Sequence, residues 1–445
     1  MPQIPAHWDV VRLKSIVPSL QSGVWGNDPK EDKNDIYCIR VADFDRWNYG
    51  ISEEKLTIRN IEEKEQEGRL LRLKDLIIEK SGGGDISPVG RVVFYNLDKK
   101  AVSSNFIARL NIGTDINREY LYFIFRTLYN GRLNIPSIKA TTGIQNLDLY
   151  SYFQHKIPIP PLSEQADLVN YIKAKTEKIN RFIQKKQRVI ELLKEQRQCI
   201  ISKSFFTWKG TNRQKKSNNI DWARSAIKRL VKIKITDGPH ESPVFSEEGI
   251  PFVSAEASCD GKIDLTKKRC NISVELHKEY CLKAKPQKCD LLMVKSGSTT
   301  GKIAIVDFDD EFSIWSPLAL IRPNELVSNE YFFYFLCSEH FQEQVQKNWS
   351  FGTQPNIGMG KIEQLKIFYP ESIPEQHQIV SRIKAETAVI DIAITKAEKE
   401  IALVKEYKET MILEAVTGKI VYLQKNNQTM QTLDTSNRSI YDINQ

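Results

Sequence analysis

The segment Ser296–Ile303 combines glycines, hydroxyl groups and a lysine, which are the residue types that bind nucleotide phosphates. Glycines expose backbone N–H groups to a phosphate, and a lysine can meet the terminal phosphates. A nucleotide-binding loop, however, needs four residues between its two glycines and a Ser or Thr after the lysine. Gly297 and Gly301 stand one residue too close for this spacing, and Ile303 follows Lys302. The segment therefore does not predict ATP binding.

A second stretch, Ser81–Gly84 followed by Gly90 and Arg91, is also polar and rich in glycine, but its basic residue is an arginine further along the chain. Both stretches place a glycine-rich polar turn before a basic residue. Such a turn could approach another backbone, including a phosphodiester, or could be an ordinary hairpin turn. The sequence leaves both interpretations open.

Metal chemistry has weak support in the sequence. Cys259, Cys270, Cys281 and Cys289 lie close together in the chain, but none stands at the paired spacing typical of structural zinc sites. Residues 43–55 contain acidic side chains and a lysine that distantly resemble the set of a metal-dependent nuclease. Solvated charged surfaces produce that pattern often, so we predict no metal site here.

His240 lies between Asp237 and Glu241, so it could act as a base, but no nucleophile or metal partner is in view. The surrounding Gly-Pro favours a turn residue, with a hydrogen bond to a base edge or a phosphate left open. A DNA methyltransferase would need an Asn/Asp-Pro-Pro-aromatic tetrapeptide to hold the target amino group and a strand with GxG to hold an adenosyl cofactor. The sequence has neither motif. We therefore predict a chain without catalysis of its own.

Composition limits the class of protein further. The chain has 445 residues, is 41% hydrophobic and carries a formal net charge of +8, which suits several globular domains and permits a polyanionic partner. Its longest apolar runs, near 121–125 and 331–337, are too short to span a membrane, and the N-terminus lacks a signal pattern. Seven cysteines are too sparse for a disulfide framework. We expect a cytoplasmic protein.

The sequence contains an internal repeat. Ser163–Ser202 aligns without a gap with Pro374–Leu413, and the identities include Glu164 with Glu375 and Gln165 with Gln376. Upstream, Asp75–Gly82 matches Asp290–Gly297 in the same way. The density of identities indicates duplication, so we predict two similar halves.

Each duplicated segment has apolar residues at spacings of three and four, which predicts a helix of about 40 residues, or about 60 Å. Because the chain has two such stripes, the economical interpretation is that the helices pack on each other as an antiparallel coiled coil. The alternative is that each helix packs only on its own globular domain. The predicted seam consists of Ile172, Ile179, Ile183, Ile190, Ile383, Ile390, Ile394 and Ile401.

The remaining sequence divides around these helices. Short β-rich runs separated by Gly, Asn, Asp and Pro predict an α+β domain in each half, and each domain also has an aromatic helix, Tyr120–Tyr129 and Tyr331–Phe341, as core. The predicted fold is two tandem α+β domains separated by two long helices, with pseudo-twofold symmetry. The predicted boundaries are domain one 1–155, helix one 156–206, linker 207–219, domain two 220–368, helix two 369–420 and a polar tail 421–445.

This organisation resembles the specificity subunits of type I restriction-modification systems over residues 1 to about 420. The resemblance depends on the helix starts at 161–165 and 373–376, on Thr236–Pro243, and on the Lys-Ser-Gly turns. The stretches 142–146 and 352–356 add to it. One departure is that Ser22–Asn27 stands where the second half has Asp237–His240, so the two loops need not make the same contact.

The resemblance implies that each domain is a target-recognition domain that reads half of a split DNA site, while the coiled coil sets the spacing. It also implies two modification (methyltransferase) subunits and restriction (translocase and nuclease) subunits as partners. S-adenosylmethionine, ATP and Mg would belong to those partners, with no membrane involved. Candidate DNA-binding residues are Trp25, Asn27, Ser81, Gly83, Arg91, Thr142, Gln145, Asn146, His240, Lys295, Ser298, Thr299, Lys302, Gln354 and Asn356.

Two other classes of protein stay open at this point. One is a coiled-coil adaptor that binds only proteins, and the other is a catalytic DNA methyltransferase or nuclease. In a DNA-binding protein, Lys and Arg would contact phosphates, and Arg, Asn, Gln or Ser/Thr side chains would read base edges.

Overall fold

A computed structural model describes residues 4–45, 50–84, 87–141, 144–205, 222–351 and 354–420. The predicted linker 207–219 and the polar tail 421–445 lie outside the described residues. The chain forms two compact units. Unit 1 comprises residues 1–185 and 400–445, and unit 2 comprises residues 186–399, so each unit contains part of both long helices.

The N-terminal half of the chain has twelve strands and five α-helices among its described residues. The strands are β1 Asp9–Arg12, β2 Ser19–Ser22, β3 Asp35–Ile39, β4 Thr57–Asn60, β5 Leu76–Glu79, β6 Ser81–Gly82, β7 Val92–Phe94, β8 Ala101–Ser103, β9 Ile107–Asn111, β10 Ile138–Thr141, β11 Ile144–Leu147 and β12 Lys156–Ile159. The helices are α1 Leu13–Ile16, α2 Glu63–Gln66, α3 Arg118–Asn130, α4 Leu149–Tyr152 and α5 Leu162–Ser204.

The centre of unit 1 is an antiparallel four-stranded sheet in the order β2-β9-β5-β7. The inner strand β5 is buried at every position, as the apolar run Leu76–Ile78 predicts, and Glu79 ends the strand. A three-stranded sheet, β4-β3-β8, contains one parallel pair, β3 with β8. The small sheet β10-β11-β6 and the pair β1-β12 complete the domain.

The described part of the C-terminal half has thirteen strands and five α-helices. The strands are β13 Trp222–Ala226, β14 Thr236–Asp237, β15 Ile250–Val253, β16 Ser258–Cys259, β17 Lys262–Ile263, β18 Cys270–Ile272, β19 Leu291–Val294, β20 Ile303–Ile305, β21 Ser313–Ile314, β22 Leu318–Ile321, β23 Ser350–Phe351, β24 Pro355–Asn356 and β25 Lys366–Pro370. The helices are α6 Val274–Lys283, α7 Asn329–Cys337, α8 Glu339–Lys347, α9 Met359–Gln364 and α10 Ile373–Val416.

Unit 2 repeats the sheet order of unit 1. Its main sheet begins β14-β22-β19-β20, which matches β2-β9-β5-β7, and then continues through β17 and β16. The sheet β18-β15-β21 again has one parallel pair, and β13-β25 matches β1-β12. The repeated topology confirms the fold class predicted from the sequence, two α+β domains with two long helices.

The aromatic helices are core elements in both units, as predicted. Tyr120 and Tyr331 are fully buried, and their hydroxyls donate to the carbonyls of Pro158 and Phe368, at 3.0 and 2.9 Å. The prediction of one continuous helix over Tyr331–Phe341 was wrong. Ser338 adopts an extended conformation between α7 and α8, and its hydroxyl accepts from the Phe341 N–H as an N-cap, which starts a new helix.

Both long helices contribute to the core of each unit, and each core contains the start of one helix and the end of the other. The core of unit 1 includes Val169 and Ile172 near the start of α5, together with Ile412 and Val416 at the end of α10. The core of unit 2 includes Ile201 at the end of α5 and residues 379–383 near the start of α10. Within unit 2, Arg197 pairs with Asp391 at 2.7 Å and Lys194 with Glu398 at 3.9 Å. The helices are therefore antiparallel within unit 2.

The predicted seam residues lie along these helices. Two of them, Ile179 and Ile394, are half-buried. The other six are buried: Ile172, Ile183, Ile190, Ile383, Ile390 and Ile401.

The paired glutamines of the repeat fix each long helix to its domain. Gln165 is buried, accepts from the Asn117 N–H at 2.7 Å and donates to the Pro160 carbonyl at 2.8 Å. Gln376 is equally buried and makes the equivalent bonds to the Ser328 N–H and the Pro370 carbonyl, both at 2.8 Å. Because buried polar groups need partners, this accounts for the identity at these two positions.

Within the described part of the chain, no helix is both long and apolar enough to cross a membrane. No cluster of three or more His, Cys, Asp or Glu residues among those described is arranged to hold a metal ion. In the region of the four neighbouring cysteines, Cys259 accepts a hydrogen bond from Lys267 at 3.0 Å. Cys281 contacts the imidazole of His277, with Sγ 3.5 Å from Nε2.

Candidate functional site

A glycine brings a loop against the end of a strand at the same place in each unit. A Cβ on Gly23 would lie 2.0 Å from the Ser103 carbonyl oxygen, and a Cβ on Gly238 would lie 1.8 Å from that of Ile314. Real Cβ atoms do not approach so closely, so both positions require glycine. The residue before each glycine, Ser22 at the end of β2 and Asp237 at the end of β14, is thereby held at the edge of the main sheet.

A polar cluster forms next to this loop in unit 1. We name Ser22, Lys80, Ser81, Gln145 and Asn146 the unit 1 cluster. Lys80 Nζ donates to Ser22 Oγ at 2.9 Å, and Ser81 Oγ donates to Asn146 Oδ1 at 2.6 Å. Gln145 Oε1 accepts from the Val89 N–H at 3.3 Å. The pairing of β11 with β6 therefore brings together three residues that the sequence predicted as DNA-binding, Ser81, Gln145 and Asn146.

Unit 2 has the same backbone arrangement. We name Asp237, Lys283, Lys295, Ser296 and Asn356 the unit 2 cluster. The Lys295 N–H donates to Pro317 and its carbonyl accepts from Ile357, both at 2.8 Å.

In unit 1, Lys80 makes the equivalent two bonds, to Phe106 and from Leu147, both at 2.9 Å. Ser296 forms an antiparallel β-bridge with Asn356, just as Ser81 pairs with Asn146 in unit 1. The main-chain frame is therefore common to both units, and the side chains differ.

Asp237 is the electrostatic centre of the unit 2 cluster. Its side chain is fully buried, with Lys283 Nζ at 2.6 Å, Lys295 Nζ at 3.2 Å and His240 Nε2 at 3.1 Å from its oxygens. Burial by itself raises the pKa of Asp237, but the hydrogen bonds and charges of Lys283 and Lys295 outweigh burial and hold the pKa below its usual value. The carboxylate is therefore the stable form, and it fixes two lysines.

Lys80 has a different environment in unit 1. Its described partner is the neutral hydroxyl of Ser22, and among the described residues it makes no ion pair within 4.0 Å. Burial lowers the pKa of Lys80. Lys80 is half-buried, whereas the Lys295 side chain is only 11% exposed. The two lysines thus stand at matching places with different accessibility.

Other predicted residues of the first half lie near the unit 1 cluster or on another loop. Gly83 has φ +60°, and a Cβ there would meet the Val89 nitrogen at 2.7 Å. The Arg91 guanidinium lies 4.5 Å from the centre of the Tyr129 ring and donates to the Tyr129 hydroxyl at 3.1 Å. Both side chains of Trp25 and Asn27 are exposed, and the Arg59 guanidinium covers the Trp25 ring at 4.6 Å.

The predicted residues of the second half are more dispersed. Ser298, Thr299 and Lys302 are exposed in the turn between β19 and β20, which form an antiparallel hairpin. This favours the hairpin interpretation of the glycine-rich turn. Lys302 also lines a groove of about 1330 Å³ between the hairpin and the long helices of unit 2. Gln354 and His240 are exposed, and Thr142 lies outside the described residues.

Five residues of the two clusters were not predicted from the sequence: Ser22, Lys80, Asp237, Lys283 and Ser296. A signal for four of them was present, since the alignment of Asp75 with Asp290 also aligns Ser22 with Asp237, Lys80 with Lys295 and Ser81 with Ser296. Lys283 gives no such signal, because it belongs to α6, and the corresponding part of unit 1 has only the single-turn helix α2 among its described residues.

Comparison with known proteins agrees with this duplicated geometry. A protein-family model described as the type I restriction modification DNA specificity domain matches the chain twice, over residues 5–192 and 219–404. The chain belongs to this family. The resemblance inferred from the motifs is confirmed, and so is the prediction of two similar halves.

Curated relatives agree over the length of the chain. The type I restriction enzyme MjaVIII specificity subunit of Methanocaldococcus jannaschii is 24% identical over 437 residues, which is 94% of this chain and 94% of the relative. The type I restriction enzyme EcoBI specificity subunit of Escherichia coli is 23% identical over 64% of this chain and 63% of its own length.

One solved chain has a similar fold. It is described with the words "structural basis underlying complex assembly and conformational transition of the type I R-M system". The superposition gives a TM-score of 0.62 at 17% identity and covers 94% of this chain and 100% of that one.

Proposed function

We propose that this protein is the DNA-specificity subunit of a type I restriction-modification complex, and that each unit reads one half of a bipartite, asymmetric DNA site. The observation that supports this most directly is the pair of clusters. The two units have the same main-chain frame, but Gln145 precedes Asn146 in unit 1, whereas Pro355 precedes Asn356 in unit 2. A duplicated frame with different side chains suits two half-sites of different sequence, because base edges are read by side chains.

The proposal includes the partners that the family membership suggests. These are double-stranded DNA, two modification subunits and the restriction subunits, in the cytoplasm. S-adenosylmethionine, ATP and Mg would be bound by those subunits, and this chain would contribute recognition without catalysis. The long helices α5 and α10 would set the spacing between the half-sites and dock the modification subunits.

A binding selection tests the proposal. The full chain, assembled with its modification subunits, is incubated with duplex DNA in which two blocks around a spacer are randomised. We expect enrichment of two short, different sequences at a fixed separation. Equal recovery of all sequences would overturn the proposal in favour of an adaptor that binds only proteins.

A domain exchange sharpens this test. Residues 1–155 are replaced by the corresponding domain of a relative with a different site, and the selection is repeated. Only one half-site should change. The control is the reciprocal exchange of residues 220–368, which should change the other half-site and leave the first as it was. A change of both half-sites in either exchange would contradict the independence of the two readers.

A further inference from the structure

We infer that Lys80 forms a phosphate-binding site in unit 1, whereas Lys295 at the matching position of unit 2 is a positioning residue that makes no contact with DNA. The inference rests on the proposed function and adds which lysine contacts the nucleic acid. It starts from two lysines with the same backbone hydrogen bonds and different side-chain partners.

The first step is the availability of hydrogen-bond donors. A lysine ammonium has three N–H donors. The Lys80 ammonium donates one of them to Ser22 Oγ at 2.9 Å and pairs with no carboxylate among the described residues. Ser22 is exposed at the end of β2, so the ammonium lies close to solvent. A cation with free donors at an accessible place is suited to an anionic oxygen such as a phosphate.

The second step is the surroundings of Lys80. Ser81, the next residue in the chain, donates a hydrogen bond to Asn146, and Gln145 lies next to Asn146 on β11. Each of these three side chains is neutral, and the nearby Glu79 carboxylate is buried, with Oε1 3.4 Å from the position of a Cβ on Gly82. Hydroxyl and amide groups next to a cation are the usual donors to the nucleic-acid backbone and to base edges.

The third step is the contrast with Lys295. Its side chain is 11% exposed, and its ammonium lies 3.2 Å from the buried carboxylate of Asp237. A phosphate would have to displace that carboxylate to reach Lys295. Asp237 also holds Lys283 at 2.6 Å and lies next to Gly238, so the Lys295 charge serves to keep the carboxylate and its loop in place.

Salt dependence distinguishes the two roles. The full chain is assembled with its modification subunits, and the dissociation constant for the duplex enriched by the selection is measured between about 50 and 200 mM salt. Each phosphate contact contributes about 0.9 to the slope of log affinity against log salt. We expect Lys80→Met to lower the magnitude of this slope by about 0.9. The fold-loss of affinity between the two salt concentrations should then be about 3-fold smaller for this variant than for the parent. Lys295→Met should keep the parental slope.

A matched pair of substitutions at Ser22 tests the charge itself. Ser22→Asp places a carboxylate beside Lys80, as Asp237 stands beside Lys295, and should lower the slope by about 0.9 while the lysine is retained. Ser22→Asn has the same size without the charge and should keep the parental slope. Sequence preference at both half-sites should survive in all four variants, since phosphate contacts position the protein without reading sequence.

The outcomes separate the two proposals. Parental slopes for both Lys80→Met and Ser22→Asp would overturn the phosphate site, and so would equal effects of Ser22→Asp and Ser22→Asn. A lowered slope in Lys295→Met would overturn the positioning role. If the parental complex does not prefer the selected duplex over a scrambled one, the proposed function itself fails. Hydrogen exchange verifies that each variant is folded, with β5 and β9 peptides for the Lys80 and Ser22 variants and β19 and β22 peptides for Lys295→Met.

Discussion

Breaking the ion pair between Asp237 and Lys295 by removing one partner should destabilise unit 2 strongly and locally. Removing one partner of a buried ion pair costs about 3–5 kcal/mol, because the other charge stays buried without compensation. Asp237 is fully buried and Lys295 is 11% exposed, so Asp237→Asn should approach the lower end of this range, about 3 kcal/mol. Lys295→Met should cost less, since Lys283 still compensates the carboxylate at 2.6 Å.

The double variant Asp237→Asn/Lys295→Met tests whether the two charges act together. Removing both charges leaves only the half-exposed Lys283, which water can solvate. We therefore expect the double variant to be less destabilised than the sum of the single variants by about 2 kcal/mol. An additive result would refute the reasoning, because it would mean that the pair is not coupled.

Hydrogen exchange measured by mass spectrometry is the suitable assay, because each unit reports separately in the same molecule. Peptides that cover β19 and β22 should exchange about 100-fold faster in Asp237→Asn, since about 1.4 kcal/mol corresponds to a factor of ten. Peptides from β5 and β9 of unit 1 serve as the internal control and should not change. Ser22→Ala, at the matching position of unit 1, should have little effect on either set.

Three further predictions concern pH, the helix starts and the spacing. Because the pKa of Asp237 is held below its usual value, the ionised carboxylate should stabilise unit 2 above the pKa of an unfolded aspartate, about 3.9, and this contribution should be lost as pH falls through the lower folded pKa. The difference in unfolding free energy between the parent and Asp237→Asn should thus be constant above about pH 5 and shrink below about pH 4, measured by urea unfolding. Gln376→Ala should destabilise unit 2 by about 2–4 kcal/mol, measured by hydrogen exchange, because it leaves the Ser328 N–H and two carbonyls without their buried partner. The variant Gln376→Glu keeps the acceptor and tests whether the amide donor is needed. Inserting seven residues into each long helix, after Lys186 and after Val404, keeps the apolar spacing and, at about 1.5 Å per residue, should lengthen the spacer between the half-sites by about three base pairs. The binding selection should return both half-sites unchanged, whereas an unchanged spacer length would mean that the helices serve only as a docking surface for partner subunits.

Much of the architecture follows from local patterns in the sequence. Uninterrupted apolar runs predicted β5 and β19, and apolar spacings of three and four predicted α5 and α10. These predictions succeeded because burial of a strand or of a helix face imposes a period that is written in consecutive residues. The internal identities, which include Gln165 with Gln376, likewise reveal the duplication from the amino-acid sequence alone.

The break at Ser338 could not be predicted in this way. The run from Tyr331 to Phe341 is apolar at helical spacing, and a serine inside it is compatible with a continuous helix. Whether the chain turns there depends on packing, since Phe335 and Phe341 are both buried in the same core and Ser338 satisfies the freed backbone groups.

The roles within the two clusters were decided by tertiary structure alone. The sequence identified Lys295 as a candidate for DNA binding and did not identify Lys80, although the repeat aligns the two lysines. Asp237 reaches Lys295 only because β14 and β19 both pair with β22, which brings together residues far apart in the chain. A local pattern can specify that a lysine follows a strand, but whether that lysine is buried against a carboxylate or left beside a hydroxyl depends on the side chain that the fold places opposite it.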